Sequence, residues 1–339
     1  MWVKILNKIK KILVIIIVFF SLFVFIDFIL FQISDWTILD ISKKEISDFC
    51  KKKYSLNIED QINLKIFYNN RNLIDFDHKQ ICMNQVPQGI TIYRNSFVFT
   101  TYCSTGKHNS AIYIVNAMES KRIELEDKSH LGGITYDSKN KCFWICLDDA
   151  NIAKISESLL NTNYDSNITT CILKYDEMEI YHIDELESAS YITYYNDRLY
   201  VGEFSMFSGK LCSFAFIADG KLLTKTSDSI FQSKYPNLKP ISTVITPAKI
   251  QGITFDNSYI YMSQSFGRQK DSKILKFRHL DDFSDYTSEE LLETKVLPPL
   301  LEEISYYNGN IYCLFESAAN KYKNTTKKPI DKIIKINSQ

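Results

Sequence analysis

The chain has 339 residues, of which 45% are hydrophobic and 14% aromatic, which is ample for one large folded domain. Its 40 basic and 40 acidic residues balance to a net charge of zero, and no basic stripe runs along it, which argues against nucleic-acid binding. With 10 glycines and 7 prolines, low-complexity linkers are not expected.

The first apolar segment is long enough to cross a membrane. Residues 12–31 contain a single acid, Asp27, and a helix of that length spans a hydrocarbon core of roughly 30 Å. Four lysines within residues 1–11 predict a cytoplasmic N-terminus, a single-pass signal anchor at 12–31 and a C-terminal domain outside the cytoplasm, at the cell membrane. A cleaved signal peptide is the alternative, but no small-residue cleavage site follows the apolar stretch.

Residues 32–61 are predicted to form a stalk that contains a short helix over 42–54. Ser42 can cap this helix together with Glu45 at the third position. The apolar face of the helix would consist of Ile46, Phe49 and Cys50. We expect this face to pack on the domain that follows, the alternative being a partner-binding helix.

A short motif recurs five times in the remaining chain. It consists of two residues that differ between the copies, then Ile, then Thr or Ser, then an apolar or aromatic residue. The copies lie at 88–92, 132–136, 190–194, 251–255 and 302–306. Successive copies begin 44 to 61 residues apart, and self-similarity at roughly 40–50 residues indicates the blades of a β-propeller.

Each motif is followed by a turn and by further runs rich in β-branched and aromatic residues, which is typical of strands. We therefore predict that 62–339 is one all-β propeller domain with four strands, A to D, per blade. Five blades are expected, or six if residues 62–68 begin another. The last unit lacks a fourth strand, and a strand near 75–83 would close the ring and remove the exposed edges.

The eight cysteines form no recognisable disulfide framework. Cys142 and Cys146 are too far apart along one strand to pair with each other. No C-x-x-C motif occurs, so a structural zinc site is not expected, and most cysteines should be small buried hydrophobic residues. One or two disulfides stay open as an alternative, with Cys82–Cys103 as the first pair to test.

Polar residues cluster at one predicted face of the propeller. Strand B runs antiparallel to strand A, so the starts of A and the ends of B meet at the same end of the channel. The A starts supply Gln88, His130, Gln251, Glu302 and Glu303, and the B ends supply Tyr102, Asp148, Asp149, Glu203, Gln264, Arg268 and Glu316. From this set we predict one ligand pocket at the channel mouth, formed by Gln88, His130, Gln251, Arg268, Glu303 and Glu316.

The acidic pair Glu302 and Glu303 is the sharpest feature, because the other blades have glutamine, glycine, serine or tyrosine there. Clustered carboxylates perturb one another's pKa, so both acids, with His130, are candidate general acids or bases. Alternatively they are structural, capping backbone amides or pairing with Arg268. The candidate ligands for a divalent cation such as calcium are Glu303, Glu203 and Asp148.

The chain resembles a known group of proteins over about residues 80–337. The segments that carry this resemblance are 86–90, 130–134, 263–268, 297–304 and 315–319. They resemble exported Firmicute β-propeller proteins of unassigned function. More loosely, the chain is similar to the gluconolactonase, strictosidine synthase and paraoxonase propellers. That likeness implies a channel calcium ion held by acids and amides and, in several members, hydrolysis of lactones or esters.

Three functions follow as hypotheses. The first is a membrane-anchored extracytoplasmic propeller that binds a small polar or anionic ligand at the channel face, with or without a metal ion. The second is a hydrolase of the lactonase or phosphoester type that uses the same face. The third is a cell-envelope scaffold for protein interactions, in which the acids of that face are structural.

Overall fold

The computed structural model describes residues 21, 41–64, 82, 84–116, 120–161, 171–225, 234–279 and 284–338. The predicted membrane anchor at 12–31 therefore falls outside the described residues, apart from Ser21. Within the described ranges, no helix combines the length and the apolar character needed to cross a membrane. Asp40–Gln339 forms one compact unit, separate from Met1–Leu39.

The described chain folds into five sheets, four with four antiparallel strands and one with the same four-stranded arrangement plus a fifth strand. The strand β1 (Asp60–Asn63) comes first in the sequence but belongs to the last sheet. Blade 1 contains β2 (Gln85–Tyr93), β3 (Ser96–Cys103), β4 (Ala111–Val115) and β5 (Ser120–Leu125). Blade 2 contains β6 (Ile134–Asp137), β7 (Cys142–Cys146), β8 (Asn151–Ser156) and β10 (Glu179–His182). The strand β9 (Cys171–Leu173), from the insertion between β8 and β10, adds in parallel to the outer edge of blade 1.

The remaining three blades follow the same plan. Blade 3 contains β11 (Tyr191–Tyr195), β12 (Arg198–Gly202), β13 (Gly209–Ala215) and β14 (Ser242–Thr246). Blade 4 contains β15 (Ile250–Phe255), β16 (Tyr259–Gln264), β17 (Ser272–Arg278) and β18 (Leu291–Leu297). Blade 5 contains β19 (Leu301–Tyr307), β20 (Asn310–Phe315), β21 (Lys332–Asn337) and then β1. The prediction of five blades is confirmed for the described residues, where 62 and 63 belong to β1 of blade 5. The rest of the stretch 62–68, from residue 65 on, lies outside the described residues.

Burial changes from the axis to the rim. The inner strands β2, β6, β11, β15 and β19 contact one another around the axis. Nearly every residue of β2 is buried, whereas the outer strand β14 alternates strictly between buried and exposed residues. An inner strand is covered on both faces by its neighbours, while an outer strand has one face in water. The hydrophobic core lies between adjacent blades, with Trp144 and Phe214 packed between blades 2 and 3.

The ring closes through the N-terminal strand, as predicted, but through a different segment. The strand β1 pairs antiparallel with β21, with Asp60 opposite Lys335 and Asn63 opposite Lys332. We had placed the closing strand near 75–83, of which only Cys82 is described. Four residues are too few to display a strand periodicity, which is why Asp60–Asn63 escaped the sequence analysis.

The predicted short helix is present at Lys43–Tyr54. Ser42 is its N-cap and accepts a hydrogen bond from the backbone N–H of Glu45 at 3.1 Å. Ile46 and Cys50 are fully buried, so the predicted apolar face packs against the described domain. At the C-terminal end, the Tyr54 hydroxyl donates to a carboxylate oxygen of Asp271 in blade 4 at 2.8 Å.

Candidate functional site

The first two residues of the repeated motif lie in a β-bulge at the start of the inner strand. In blade 1 the register moves from Pro87 opposite Thr101 directly to Ile90 opposite Phe99. Blades 4 and 5 show the same irregularity, at 250–252 and at 301–304. A bulge takes residues out of the regular ladder and re-aims their side chains. In blade 5 the bulge includes Glu302 and Glu303, so their side chains do not simply alternate between opposite faces of the strand.

Glu303 lies at the axis and ties three other blades together. Its side chain is 1% exposed. One carboxylate oxygen, Oε2, accepts from the backbone N–H of Ile90 at 2.8 Å and of Ile134 at 3.1 Å. The other, Oε1, accepts from the N–H of Ile192 at 3.3 Å. Each donor is the isoleucine of a repeated motif, so blade 5 supplies one carboxylate to the inner strands of blades 1, 2 and 3.

The motif glycines make room for this carboxylate. A Cβ atom on Gly252 would lie 2.6 Å from the Cα of Glu303, and one on Gly133 would lie 3.0 Å from its Oε1. Contacts this close to backbone require glycine. Blade 5 thus has Glu303 where blades 2 and 4 have glycine. The side chain of Glu303 lies in the space that those glycines leave at the axis.

The environment of Glu303 suits a structural carboxylate. Burial raises its pKa well above the ordinary value, and the three amide donors oppose that rise. Because the N–H groups direct their positive ends at both oxygens, they would repel a cation placed among them. The capping role that we weighed as the alternative for this acid agrees with these contacts.

A cavity of about 590 Å³ opens at the end of the channel formed by the A starts and B ends. Five of the six predicted pocket residues line it: Gln88, His130, Gln251, Arg268 and Glu316. Glu303 is not among the lining residues, since its carboxylate is enclosed by backbone amides. Its neighbour Glu302 lines the cavity instead. Convergence on one cavity meets the geometric condition for a shared pocket, and binding itself stays a prediction.

Two buried carboxyl groups meet in the wall of this cavity. Glu302 is 5% exposed and Glu316 is 7% exposed, and their side chains hydrogen-bond to each other. Gln88 adds a donor, with its Nε2 3.3 Å from Oε2 of Glu316. Burial and the charge of Glu316 raise the pKa of Glu302 well above its ordinary value, and burial raises that of Glu316 to about 7. The pair therefore shares a proton near neutral pH, with Glu302 as the donor.

An aromatic and cationic wall faces the acids. Lys321 donates from Nζ to the Tyr102 hydroxyl at 2.7 Å, and its ammonium lies 5.0 Å from the Tyr322 ring centre. The Arg268 guanidinium lies 5.3 Å from the same ring centre and donates to Oγ1 of Thr325 at 3.3 Å. An aromatic face attracts such a cation without neutralising its charge.

The alternative pairing of Arg268 with the acidic pair does not form, and Arg268 forms no ion pair with Glu316 either. Arg268 is exposed at the rim of the cavity, and within the described chain it has no carboxylate partner. Glu303 is enclosed at the axis, and the charge of Glu316 is taken up by Glu302 and Gln88. A guanidinium that remains at the rim stays hydrated and available to an anion entering from solvent.

His130 lies at the cavity mouth beside Tyr102, with the two ring centres 4.1 Å apart. Its backbone N–H donates to Oδ1 of Asp148 at 2.9 Å. Desolvation by the surrounding walls lowers the pKa of His130, although its ring is exposed to the cavity. A neutral imidazole at this position can accept a proton, so its candidacy as a base stays a prediction.

The three candidate calcium ligands do not come together. Glu303 is bound by amides, Asp148 caps His130, and Oε2 of Glu203 accepts from the N–H of Glu187 at 2.8 Å. Among the described residues, none of the three belongs to a group of acids, histidines or cysteines close enough to share an ion. The carboxylates of this face therefore do not fit a calcium site.

Lys321 and Tyr322 line the cavity but were not among the residues predicted from the sequence. They lie in the loop between β20 and β21, outside the A starts and B ends from which the pocket was predicted. The loop begins directly after Glu316, at the end of strand B in blade 5, and that position was the available signal. Phe204 and Phe266, which follow the B ends of blades 3 and 4, also line the cavity.

No protein-family model and no curated protein matches the chain. The chain is similar to several solved structures at a low level. One is a nidogen/laminin complex, with 13% identity, 69% of this chain and 74% of that chain covered, and a TM-score of 0.39. Another is the Cps50 (Swd1) β-propeller domain of Myceliophteria thermophila, with 8% identity, coverage of 73% and 68%, and a TM-score of 0.36. A third is a protein of unknown function from Bacteroides thetaiotaomicron, with 12% identity, 74% of this chain and 58% of that chain covered, and a TM-score of 0.37.

Similarity at this level carries no functional argument, so the site must be interpreted from its own geometry. By its sheets and their order around the axis, the chain is a five-bladed β-propeller.

Proposed function

We propose that this chain is a membrane-anchored extracytoplasmic propeller that binds a small polyhydroxylated anion in the cavity at its channel mouth. The observation that carries the proposal is the state of Arg268. Its guanidinium is exposed at the cavity, lies 5.3 Å from the Tyr322 ring centre and lacks a carboxylate partner in the described structure. A planar group with unused donors matches a carboxylate or a phosphate.

The rest of the lining supports the ligand class. Lys321 adds a second cation on the same wall. The amides of Gln88 and Gln251 and three lining serines offer hydrogen bonds to hydroxyl groups. The rings of Tyr102 and Phe266 offer apolar faces on which a sugar can rest. A volume of about 590 Å³ accommodates a ligand of monosaccharide to disaccharide size. Sugars with one carboxylate or phosphate combine these features.

The binding proposal is tested by thermal unfolding of the full-length chain in mild detergent. The probes are glucose 6-phosphate and glucuronate, with neutral glucose as the matched control. A ligand that binds only the folded state raises the melting temperature by mass action. We expect the two anionic sugars to raise it and glucose to leave it nearly unchanged. Equal effects of all three sugars would remove the role assigned to the cations.

The anchor is the second part of the proposal and rests on residues 12–31 and the lysines before them. Two reporters fused after Gln339 test it, one active only in the cytoplasm and one active only outside. We expect activity from the second reporter alone, in the membrane fraction. Activity from the cytoplasmic reporter would overturn the assigned topology without touching the cavity.

A hydrolase is the second candidate, and the Glu302–Glu316 pair favours it. A pair that holds one proton between two carboxyl groups can protonate a leaving group and accept a proton from water. The loose likeness to lactonase propellers extends to architecture and to acids near the axis. The test is turnover of gluconolactone, where Glu316→Gln should lower the rate by ~10²-fold or more if the pair is the acid and base. A rate equal to that of buffer alone would exclude this substrate class.

A further inference from the structure

Two thiols and an imidazole converge behind the cavity wall, on blade 1. Cys103 is the last residue of β3, and its Sγ lies 3.4 Å from Nδ1 of His108. The Sγ of Cys82 completes the group, and all three atoms lie within 4.8 Å of one another. Both cysteines are buried, and the imidazole of His108 is half-buried. Within the described chain this is the sole cluster of metal-ligating side chains with such spacing.

The local backbone builds this cluster. Gly106 has a φ of 63° and donates from its N–H to the carbonyl of Cys103 at 2.9 Å, which turns the chain so that His108 returns to the thiol. The N–H of Ser104 donates to the carbonyl of Asn84 at 2.9 Å, and this bond fixes the segment after Cys82 to the end of β3. The three side chains are thus brought together from two separate segments.

We propose that Cys82, Cys103 and His108 form a zinc site. Zinc prefers thiolate and imidazole ligands, with Zn–S near 2.3 Å and Zn–N near 2.0–2.1 Å, so a tetrahedral ion holds sulfur and nitrogen about 3.6 Å apart. The observed separation of 3.4 Å between Cys103 and His108 is close to that value. The half-buried edge at His108 leaves the fourth position to water. The site does not depend on a C-x-x-C motif, which is why spacing in the sequence did not indicate it.

The zinc site and the ligand cavity are separate. Tyr102 lines the cavity, and the next residue, Cys103, points to the other face of the strand, as alternation requires. Zinc would therefore fix the turn after β3 and the segment before β2, which together support the wall that holds Tyr102. Loading the site exchanges two thiol protons for one Zn²⁺ ion, so binding releases up to two protons.

The competing structure is a disulfide between Cys82 and Cys103. A disulfide requires an S–S distance near 2.05 Å, whereas both residues are free thiols here. A disulfide would also leave His108 without a function at the pair. The two alternatives make opposite predictions for the reduced protein, because reduction breaks a disulfide and leaves thiolates free to bind zinc.

The test is a titration of the reduced full-length chain with Co²⁺ alone, a spectroscopic substitute for zinc. We expect one equivalent to bind with an intense sulfur-to-cobalt charge-transfer band, which Zn²⁺ then abolishes by displacement. Cys103→Ser should remove the band, and His108→Ala should weaken binding by at least about tenfold, since loss of one ligand costs a coordinate bond. His182→Ala, which changes another half-buried histidine, is the matched control and should bind as the wild type does.

A second measurement covers variants that fail to fold. Zinc should protect Cys82 and Cys103 of the wild-type chain from alkylation, as followed by mass spectrometry of their peptides. The proposal is wrong if the reduced chain shows no charge-transfer band at stoichiometric Co²⁺, or if Cys103→Ser retains it. It is equally wrong if the chain isolated without reductant yields a Cys82–Cys103 linked peptide and, once reduced, gains no protection from zinc.

Discussion

Replacing Glu303 should destabilise the propeller far more than replacing the neighbouring Glu302. Glu303→Ala leaves the amides of Ile90, Ile134 and Ile192 without their acceptor. A buried donor left unsatisfied costs ~1–3 kcal/mol, and the adjoining cavity can admit water to part of the space. We therefore expect a loss of about 4 kcal/mol in the free energy of unfolding, a large share of the ~5–15 kcal/mol typical of a folded domain.

Glu303→Gln should give an intermediate loss of about 2 kcal/mol. It keeps one oxygen acceptor but turns an NH₂ group towards backbone donors, so at least one amide loses its partner. Glu302→Gln is the matched control, because protonated Glu302 already acts as a donor to Glu316, and an amide can do the same. Its expected effect is below ~1 kcal/mol.

Urea unfolding of the full-length chain in mild detergent measures these differences. Trp144 is fully buried between blades 2 and 3, so its fluorescence reports the state of the domain. The slope of the free energy against urea should be the same for all variants, so that midpoints compare stabilities. A loss below ~1 kcal/mol for Glu303→Ala, or equal losses for Glu303→Gln and Glu302→Gln, would refute the assignment of Glu303 as the axial acceptor.

Two further predictions concern the acid pair and the closing strand. Burial raises the pKa of Glu316 from 4.5 to about 7, so stability that the pair contributes below about pH 4 is lost as the pH rises through about 7. The free energy of unfolding should therefore fall by up to ~3 kcal/mol between about pH 5 and about pH 8 in the wild-type chain, and Glu316→Gln should remove most of this fall. Urea midpoints at the two pH values measure it, and a wild-type midpoint that does not change with pH would contradict the prediction. Deleting residues 331–339 removes β21, which pairs with both β20 and β1. The whole domain should then unfold in one cooperative step, whereas an unchanged melting transition would show that the ring does not need this strand.

The repeated motif predicted the architecture because each copy marks the same structural position. The Ile of every copy lies on an inner strand, and the residues before it lie at the crowded axis, so the blade count follows from five short matches. The cap at Ser42 was predictable for a similar reason, since a helix start depends on a few adjacent residues. The strand Asp60–Asn63 was not, because its role depends on a partner more than 260 residues away.

The candidate site was predictable in location but not in its bonding. Strand polarity alone brings Gln88, Gln251 and Glu316 to one cavity. Glu302 lines the cavity whereas Glu303 is enclosed at the axis, and this difference depends on a bulge. A bulge is a property of two paired strands that neither strand shows alone. The missing ion pair of Arg268 has the same origin, since the backbone amides of three other blades hold Glu303 at the axis.

We propose that the exposed guanidinium of Arg268 at the channel mouth binds an anionic sugar, and calorimetric titration with glucose 6-phosphate measures this binding. A charge-assisted hydrogen bond contributes ~1.5–3 kcal/mol, so Arg268→Ala should weaken binding at least about tenfold without lowering stability. Arg278→Ala is the matched control, because Arg278 is exposed at the opposite end of the same blade and should bind as the wild type does. Equal affinity in the wild-type chain and Arg268→Ala, or affinity for glucose 6-phosphate no greater than for glucose, would show that Arg268 does not recognise an anion.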